Sequence, residues 1–355
     1  MDIIILKQME ATDLEISGES SELDKYPDEA EWKSAIGDPE KEDIVKVSFN
    51  EDGSIPVRPV RLYQKTTSTG NTYPPDDEVG WSCLGATNRW AMFDQIIMTS
   101  SEAENNGGGA ALSTAPGFDP SMPPHTSHSF FTVTINTSNA NRLCFFNLNA
   151  SYLGLEFQDR AGGVFYPYTN NRYPTTTLIN YDPYEFPEKD SDWKIKFLGD
   201  SADRQTLVIE IPEKTVSYMR ITIASNIAGR VASCGQCVWG YAAHIGDTQY
   251  GASANILSYG RKERNEYYGS VYLKPGNNAK KMNIEVVVEN TDYNNVYDLF
   301  EATDGLPCVF QGNNDEEGYD HDYTPFMIYG FTKSFDLIMA YYSQSDCNLE
   351  VEGLV

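Results

Sequence analysis

Basic side chains are scarce in this chain: 26 Lys and Arg stand against 52 Asp and Glu, a formal net charge of −26. A surface so acidic repels phosphate backbones and anionic lipid, which argues against nucleic-acid binding and membrane attachment. Acidity serves solubility first; docking onto a basic partner, or tolerance of high salt, is the sharper reading. Long apolar runs are absent too, and nothing approaches the ~20 residues that span a bilayer. Ile3-Ile4-Ile5-Leu6 is too short for a signal-peptide core and follows Asp2, so no secretory address is expected. Histidine is rare, with four in 355 residues. His125 and His128 stand at i, i+3 in a Pro-rich loop with no Cys or carboxylate beside them, and no metal is expected there. Six cysteines cannot build a dense disulfide framework in so long a chain. Cys234-Gly-Gln-Cys237 lacks a second CxxC and a neighbouring His, and reads as a β-turn; a disulfide across that turn stays open.

Catalytic signatures are missing as well. There is no Gly-x-Ser-x-Gly elbow, no Gly-x-x-x-x-Gly-Lys phosphate loop and no His-Glu-x-x-His. Separated acidic pairs leave a glycosidase open in principle, but short strands that read as compact sandwiches offer no cleft. The chain is not expected to be an enzyme, and no cofactor is expected.

What is abundant is the material of sheets: 23 Tyr, 16 Phe, 27 Gly and 18 Pro fit many short strands joined by tight turns. A length of 355 residues suggests two or three domains. Residues 1–42 read as an acidic arm, with a short helical candidate at Asp28–Ala35, that orders only against a partner. Residues 43–85 alternate through Ile44, Val45, Val47 and Phe49, then Val57, Val60, Leu62 and Tyr63, and read as a small β module. Tyr63 and Trp81 are either that module's core or a platform on which a sugar stacks, and both are kept as candidate ligand-binding residues.

Residues 86–243 read as a jelly-roll-like β-sandwich. Phe131, Val133 and Ile135 alternate with Thr132, Thr134 and Asn136, the period of a half-buried strand. Leu143–Leu148 is more continuously apolar, as in a strand buried on both faces. Further strands are expected at Tyr152–Phe157, Trp193–Phe197, Thr206–Ile211 and Tyr218–Ala224. Residues 165–192 read as an aromatic loop: Tyr166, Tyr168 and Tyr184 are further ligand-binding candidates, since each ring offers large contact area at low entropy cost, or else the rings staple the loop to its own sandwich. A break near Ala243 opens a C-terminal mostly-β domain, 244–355, with strands at Ile284–Val288, Met327–Phe331, Leu337–Tyr341 and Leu349–Val351. One short helix is expected at Thr291–Phe300, capped by Asp292, with Val296, Leu299 and Phe300 on its apolar face. The acidic loop Asn313–Asp322 lacks EF-hand spacing and reads as solvated, with calcium the weaker alternative.

Trp81 through Asp94 packs two Trp, a Phe and a Met into one turn-rich stretch. Trp90 and Phe93 are expected to be buried anchors, and Arg89 and Asp94 to hold the turn. Leu84-Gly85-Ala86-Thr87-Asn88-Arg89-Trp90-Ala91-Met92-Phe93-Asp94 resembles a segment of tail-associated structural proteins of tailed bacteriophages, some with a carbohydrate-binding module. Arg61-Leu62-Tyr63-Gln64-Lys65, Gly70-Asn71, Pro74-Pro75 and Trp81 resemble those proteins' small chitin-binding-like module. Thr12-Asp13, Tyr26-Pro27-Asp28-Glu29 and the following Trp resemble their opening. Ile245–Gly251, Tyr259–Gly269 and the terminal Leu349–Leu354 resemble three of their C-terminal segments, in the same order and spacing, with Asn265 where an Asp is expected. The resemblance implies a virion structural protein, made in the host cytoplasm and carried on the phage tail or its fibres. It would dock to other tail proteins as a homo-oligomer and display the sandwich outward. The alternative is a host receptor-binding adhesin that reads a cell-surface polysaccharide.

Overall fold

The computed structural model describes residues 1–6, 14–15, 30–31, 43–54, 56–67, 72–88, 90–103, 129–136, 140–150, 152–158, 166–167, 205–210, 218–225, 231–264, 267–312 and 324–354. It divides into two compact units: Gln8–Val238, and Trp239–Val355 together with Met1–Lys7. The division falls a few residues before the expected break at Ala243. The class is all-β with one α-helix among the described residues, as the alternation implies.

The first strand, β1 (Asp2–Leu6), departs from the sequence reading. It runs antiparallel between two distant segments, with Ile3 opposite Ala243 on one side and Phe310 on the other. Ile3 and Ile4 are wholly buried. The arm expected over 1–42 therefore does not include its first six residues, whose apolar run Ile3–Leu6 is that of a strand covered on both faces.

In the Gln8–Val238 unit, β3 (Ala30–Glu31), β4 (Ile44–Phe49), β5 (Pro56–Lys65) and β6 (Trp81–Ala86) form one sheet in that order; the two-residue β2 (Leu14–Glu15) lies in another. Ala30 and Glu31 pair in parallel with Val45 and Lys46, so the two described residues of Asp28–Ala35, where a helix is expected, form a bridge onto a sheet edge. One helical turn has a costly nucleus, and pairing to an existing strand overrides it. The remaining strands are β7 (Ser101–Glu102), β8 (Ser129–Asn136), β9 (Arg142–Asn149), β10 (Tyr152–Gln158), β11 (Tyr166–Pro167), β12 (Gln205–Glu210), β13 (Tyr218–Ser225) and β14 (Ser233–His244). One sheet has the order β11-β10-β13-β8-β2; in the other β9 lies between β12 and β14, and β7 flanks β14. The expected strand at Trp193–Phe197 lies outside the described residues.

β9 is buried on both faces, as its composition implies. So is β8, where a half-buried strand is expected: Thr132 and Thr134 are as inaccessible as Phe131, Val133 and Ile135. Thr132 Oγ1 lies 3.2 Å from Thr222 Oγ1 on the paired strand, a cross-strand hydrogen bond that satisfies buried hydroxyls. Cys234-Gly-Gln-Cys237 sits inside β14 and is not a turn. Its glycine is required by close approach, since a Cβ at Gly235 would meet the Ile97 carbonyl oxygen at 2.6 Å and Asn147 Cβ at 2.8 Å.

The Trp239–Val355 unit adds β15 (Asp247–Thr248), β16 (Ser253–Ser258), β17 (Arg261–Arg264), β18 (Val271–Lys274), β19 (Asn278–Glu289), α1 (Tyr293–Ala302), β20 (Cys308–Gln311), β21 (Met327–Ile338) and β22 (Gln344–Gly353). The strand order runs from the end of β14 through β1, β20, β21 and β22 to β19, on which both β15 and β16 pair. Leu337–Tyr341 is not a strand of its own: β21 continues through Ile338 and then turns. Alternate residues of β19 (Met282, Ile284, Val286, Val288) point into a core with Ile3, Phe310 and Val351. Val296 and Phe300 of α1 close that core, and the Phe300 ring stacks on Phe335 with centroids 4.1 Å apart. Burying such side chains contributes about 1.5–3 kcal/mol each, which is why a short helix with a modest capping signal persists here. Asp292 is at the helix N-cap as expected, but its side chain makes no capping hydrogen bond.

Candidate functional site

The stretch after β6 is held by side chains standing in for missing strand partners. Gly85 takes φ +107, a conformation few other residues adopt, where β6 shifts register against β5 between Leu62 and Tyr63. The Trp90 and Ala91 amides both donate to the Thr87 carbonyl, at 2.8 and 2.9 Å, and Ala91–Phe93 makes one turn of 3-10 helix. Asn88 clamps the far side: its Nδ2 donates to the Glu102 carbonyl and its Oδ1 accepts from the Glu102 amide, each at 2.8 Å. The Met92 amide donates to Ser101 Oγ at 3.0 Å. Trp90, Met92 and Phe93 are buried, and the Trp90 and Phe93 rings meet edge to face at 6.4 Å.

Asp94 closes this turn. Its Oδ1 accepts from the Ile96 amide and its Oδ2 from the Thr99 hydroxyl, both at 2.8 Å, while Gln95 between them is forced to φ +69. Burial pushes the Asp94 carboxyl above its ordinary value, opposed by the Ile96 and Thr99 hydrogen bonds and by the charge of Arg61. An acid with a raised folded pKa stabilises the fold at low pH and loses that contribution as pH rises through the raised value. Asp94 is thus a geometric clasp, and it carries a charge cost at neutral pH. The expected partner role of Arg89 lies outside the described residues. The motif is a structural anchor with no ring face turned to solvent.

The sugar-platform candidates in the small module belong to its core. Trp81 and Tyr63 are buried with Val45 and Val47, and Tyr73 packs against them. Lys65 Nζ sits 4.5 Å from the centre of the Trp81 ring, and the indole N–H donates to the Thr72 carbonyl at 3.1 Å. With one ring face taken by an ammonium and its edge by the backbone, Trp81 has nothing left to offer a sugar. Burial, with the nearby Cys83 thiol, pushes the Tyr63 phenol up to about 12. Both residues are withdrawn as ligand contacts: a module this small has few other apolar groups with which to build a core. Of the loop candidates, Tyr166 pairs with Phe157 in β11, and Tyr168 and Tyr184 lie outside the described residues.

All six cysteines are free thiols, which removes the disulfide left open for Cys234 and Cys237. Burial drives the Cys144, Cys234 and Cys237 thiols far above their ordinary value, the opposite of a poised nucleophile. Among the described residues no group of three or more His, Cys, Asp or Glu could hold a metal ion. His125, His128 and the acidic loop at 313–322 lie outside them. No helix among the described residues is long and apolar enough to cross a membrane.

Sequence reasoning missed the surface where aromatic residues do face outward. Tyr250, Tyr267, Tyr268, Tyr272 and Leu273, and Met339, Tyr341 and Tyr342 beyond β21, are largely solvent-facing. Tyr267 and Tyr268 pack edge to face at 5.0 Å beside Gly269, whose φ of +68 makes the turn into β18. No local pattern gives it away: β17 is charged throughout and β18 runs Val271-Tyr272-Leu273 before Lys274, so neither strand alternates. Comparison of the chain with protein-family models finds no match, and comparison with curated proteins finds none either.

Proposed function

We propose that this chain is a structural protein of a tailed-bacteriophage virion, mounted on the tail or its fibres through the Trp239–Val355 unit and displaying the sandwich outward. One observation carries the reading: that unit turns Tyr250, Tyr267, Tyr268, Tyr272, Leu273 and Tyr342 toward solvent. Tyr267, Tyr268, Tyr272 and Leu273 fall within one hairpin and its turn, and exposed large apolar groups gathered in this way mark surfaces that a partner covers. The sequence resemblance supplies the kind of assembly, because three of its segments fall within this same unit. Tail parts repeat around a symmetry axis, so neighbours of such a protein are other tail proteins and further copies of itself. The adhesin reading has less support, since Tyr63 and Trp81, two of its five aromatic candidates, are interior.

The test is to locate the protein in intact particles by labelling and imaging, and to compare particles carrying Tyr268→Ser with Leu273→Ser. Loss of the protein from otherwise complete particles is the expected result. Normal copy number in the double variant, with binding of the purified protein on a glycan array, would move the assignment to the adhesin.

A further inference from the structure

β17 and β18 form a two-stranded hairpin that joins no other strand among the described residues, and every residue of both is exposed. Such a hairpin is marginal in water without something to pack on. Residues directly opposite across a pair share a face. Arg261 with Lys274 and Glu263 with Tyr272 make one face, which carries its own ion pair, Lys274 to Glu263 at 2.8 Å. Lys262 with Leu273 and Arg264 with Val271 make the other. That second face holds two cations and two aliphatic side chains and no carboxylate; Leu273 is 77% exposed.

This is a local inversion of charge. Residues 261–274 contain four of the 26 Lys and Arg but two of the 52 Asp and Glu, leaving 22 against 50 elsewhere. A complementary surface lies on the same unit. On the outward face of β19, β22 and β21, Glu285, Asn348 and Asp336 form one cross-strand row, and Asn283, Glu350 and Ser334 the next. They line a groove of about 330 Å³. Lys281 and Lys333 both bond Glu350, at 2.8 and 3.2 Å, which leaves Glu285 and Asp336 with no cation at ion-pair distance among the described residues.

We propose that the Lys262–Arg264 face of the hairpin docks into the Glu285–Asp336 groove of a second copy of this chain. The inference rests on the assembly reading above and names one of its partners. Charge complementarity selects the occupant: copies with a net charge of −26 repel one another except where this basic face meets an acidic one. The dimensions agree, since a four-residue strand spans ~13 Å and the groove's three strands cover ~10 Å. Docking also covers Leu273 and Val271. Hairpin and groove are different patches of one unit, so two copies can exchange hairpins about a two-fold axis, or each can hand its hairpin to the next around a ring.

The test uses the purified full chain, its oligomeric mass measured by light scattering across a concentration series. Wild-type protein is expected to self-associate, and K262E with R264E to raise the dissociation constant roughly tenfold or more. E285K with D336K is expected to do the same, and all four substitutions together to restore association. The four side chains are exposed, and unchanged circular dichroism confirms that each variant is folded. Three results would overturn the proposal: a wild type monomeric at every concentration, reversals on one side that leave association intact, or a combined variant no stronger than either half. A monomer that still incorporates into particles would remove this interface and leave the tail reading standing, with another tail protein on the hairpin.

Discussion

The two units use the same residues to opposite ends. In the Gln8–Val238 unit the large rings go inward: Tyr63, Trp81, Trp90, Phe93, Phe131 and Phe145 are all buried. In the Trp239–Val355 unit a second population of rings, Tyr250, Tyr267, Tyr268, Tyr272 and Tyr342, faces solvent. The cause is layering. β8 and β9 are covered on both faces, whereas β17 and β18 are covered on neither. Aromatic density alone therefore says nothing about recognition; what matters is whether the chain supplies a second layer over the strand. Where it does, the ring is core, and where it does not, a partner must supply the layer or water remains.

The largest effect expected from breaking this contrast comes from the chain's first strand. Deleting Met1–Leu6 removes Ile3 and Ile4 from full burial and strips the neighbours of β1 on both sides. Truncating one buried Ile costs about 2–5 kcal/mol, and losing two with their strand exceeds the stability of most domains. Proteolytic mapping should then find 239–355 unprotected while the sandwich strands keep their protection. An arm that orders only on a partner would predict no change in either unit.

Next in size is a paired substitution of rings from the two populations. Trp90→Ala should cost roughly 3–5 kcal/mol in denaturant unfolding, the range for buried aromatic deletions, and Tyr268→Ala should stay within about 0.5 kcal/mol. Equal effects would mean that the exposed tyrosines pack on something within the chain.

How much of this was legible in the sequence depends on the distance between partners. Period-two alternation and short apolar runs identified β8, β10, β12 and β13 to within a residue or two, because strand-forming residues are written locally, although the burial of both faces of β8 was not. Trp90 and Phe93 were legible as anchors for the same reason: Trp90, Met92 and Phe93 crowd one turn. β1 was not, since its partners lie some 240 and 300 residues away and nothing local tells a short apolar run from the start of an arm. Cys234-Gly-Gln-Cys237 misled because glycine usually marks a turn, whereas Gly235 serves a close approach that only the fold reveals. The hairpin face escaped notice because exposure is a property of what fails to cover a strand. No residue within the strand records that.

A third prediction sharpens the reading of the small module as a core. The Tyr63 phenol is pushed from 10.0 up to about 12 by burial. A raised acid stabilises the fold below its unfolded value and loses that contribution as pH climbs through the folded one. The module should accordingly weaken between pH 10 and about 12, and Tyr63→Phe should flatten that part of its pH profile. Ordinary phenol titration at pH 10 in the folded protein, followed by ultraviolet absorbance, would instead put the ring in water, where it could meet a sugar.

The smallest effect concerns α1, where the sequence pattern and the structure agree on position but not on cause. Asp292 occupies the N-cap, and an acceptor side chain there usually contributes about 1 kcal/mol by taking up a free amide of the first turn. Here the carboxylate makes no such bond; Asn295 Nδ2 stands 3.4 Å from its Oδ1, long for a hydrogen bond. What fixes the helix is its other face, where Val296 and Phe300 enter the core and Phe300 stacks on Phe335 at 4.1 Å. Asp292→Ala should therefore cost no more than about 0.5 kcal/mol, the remainder being its charge near the helix N-terminus. Phe300→Ala in the same helix should cost several times as much. A loss near 1 kcal/mol for Asp292→Ala, insensitive to salt, would show that the cap closes in solution and that local signals fix this helix as much as its packing does.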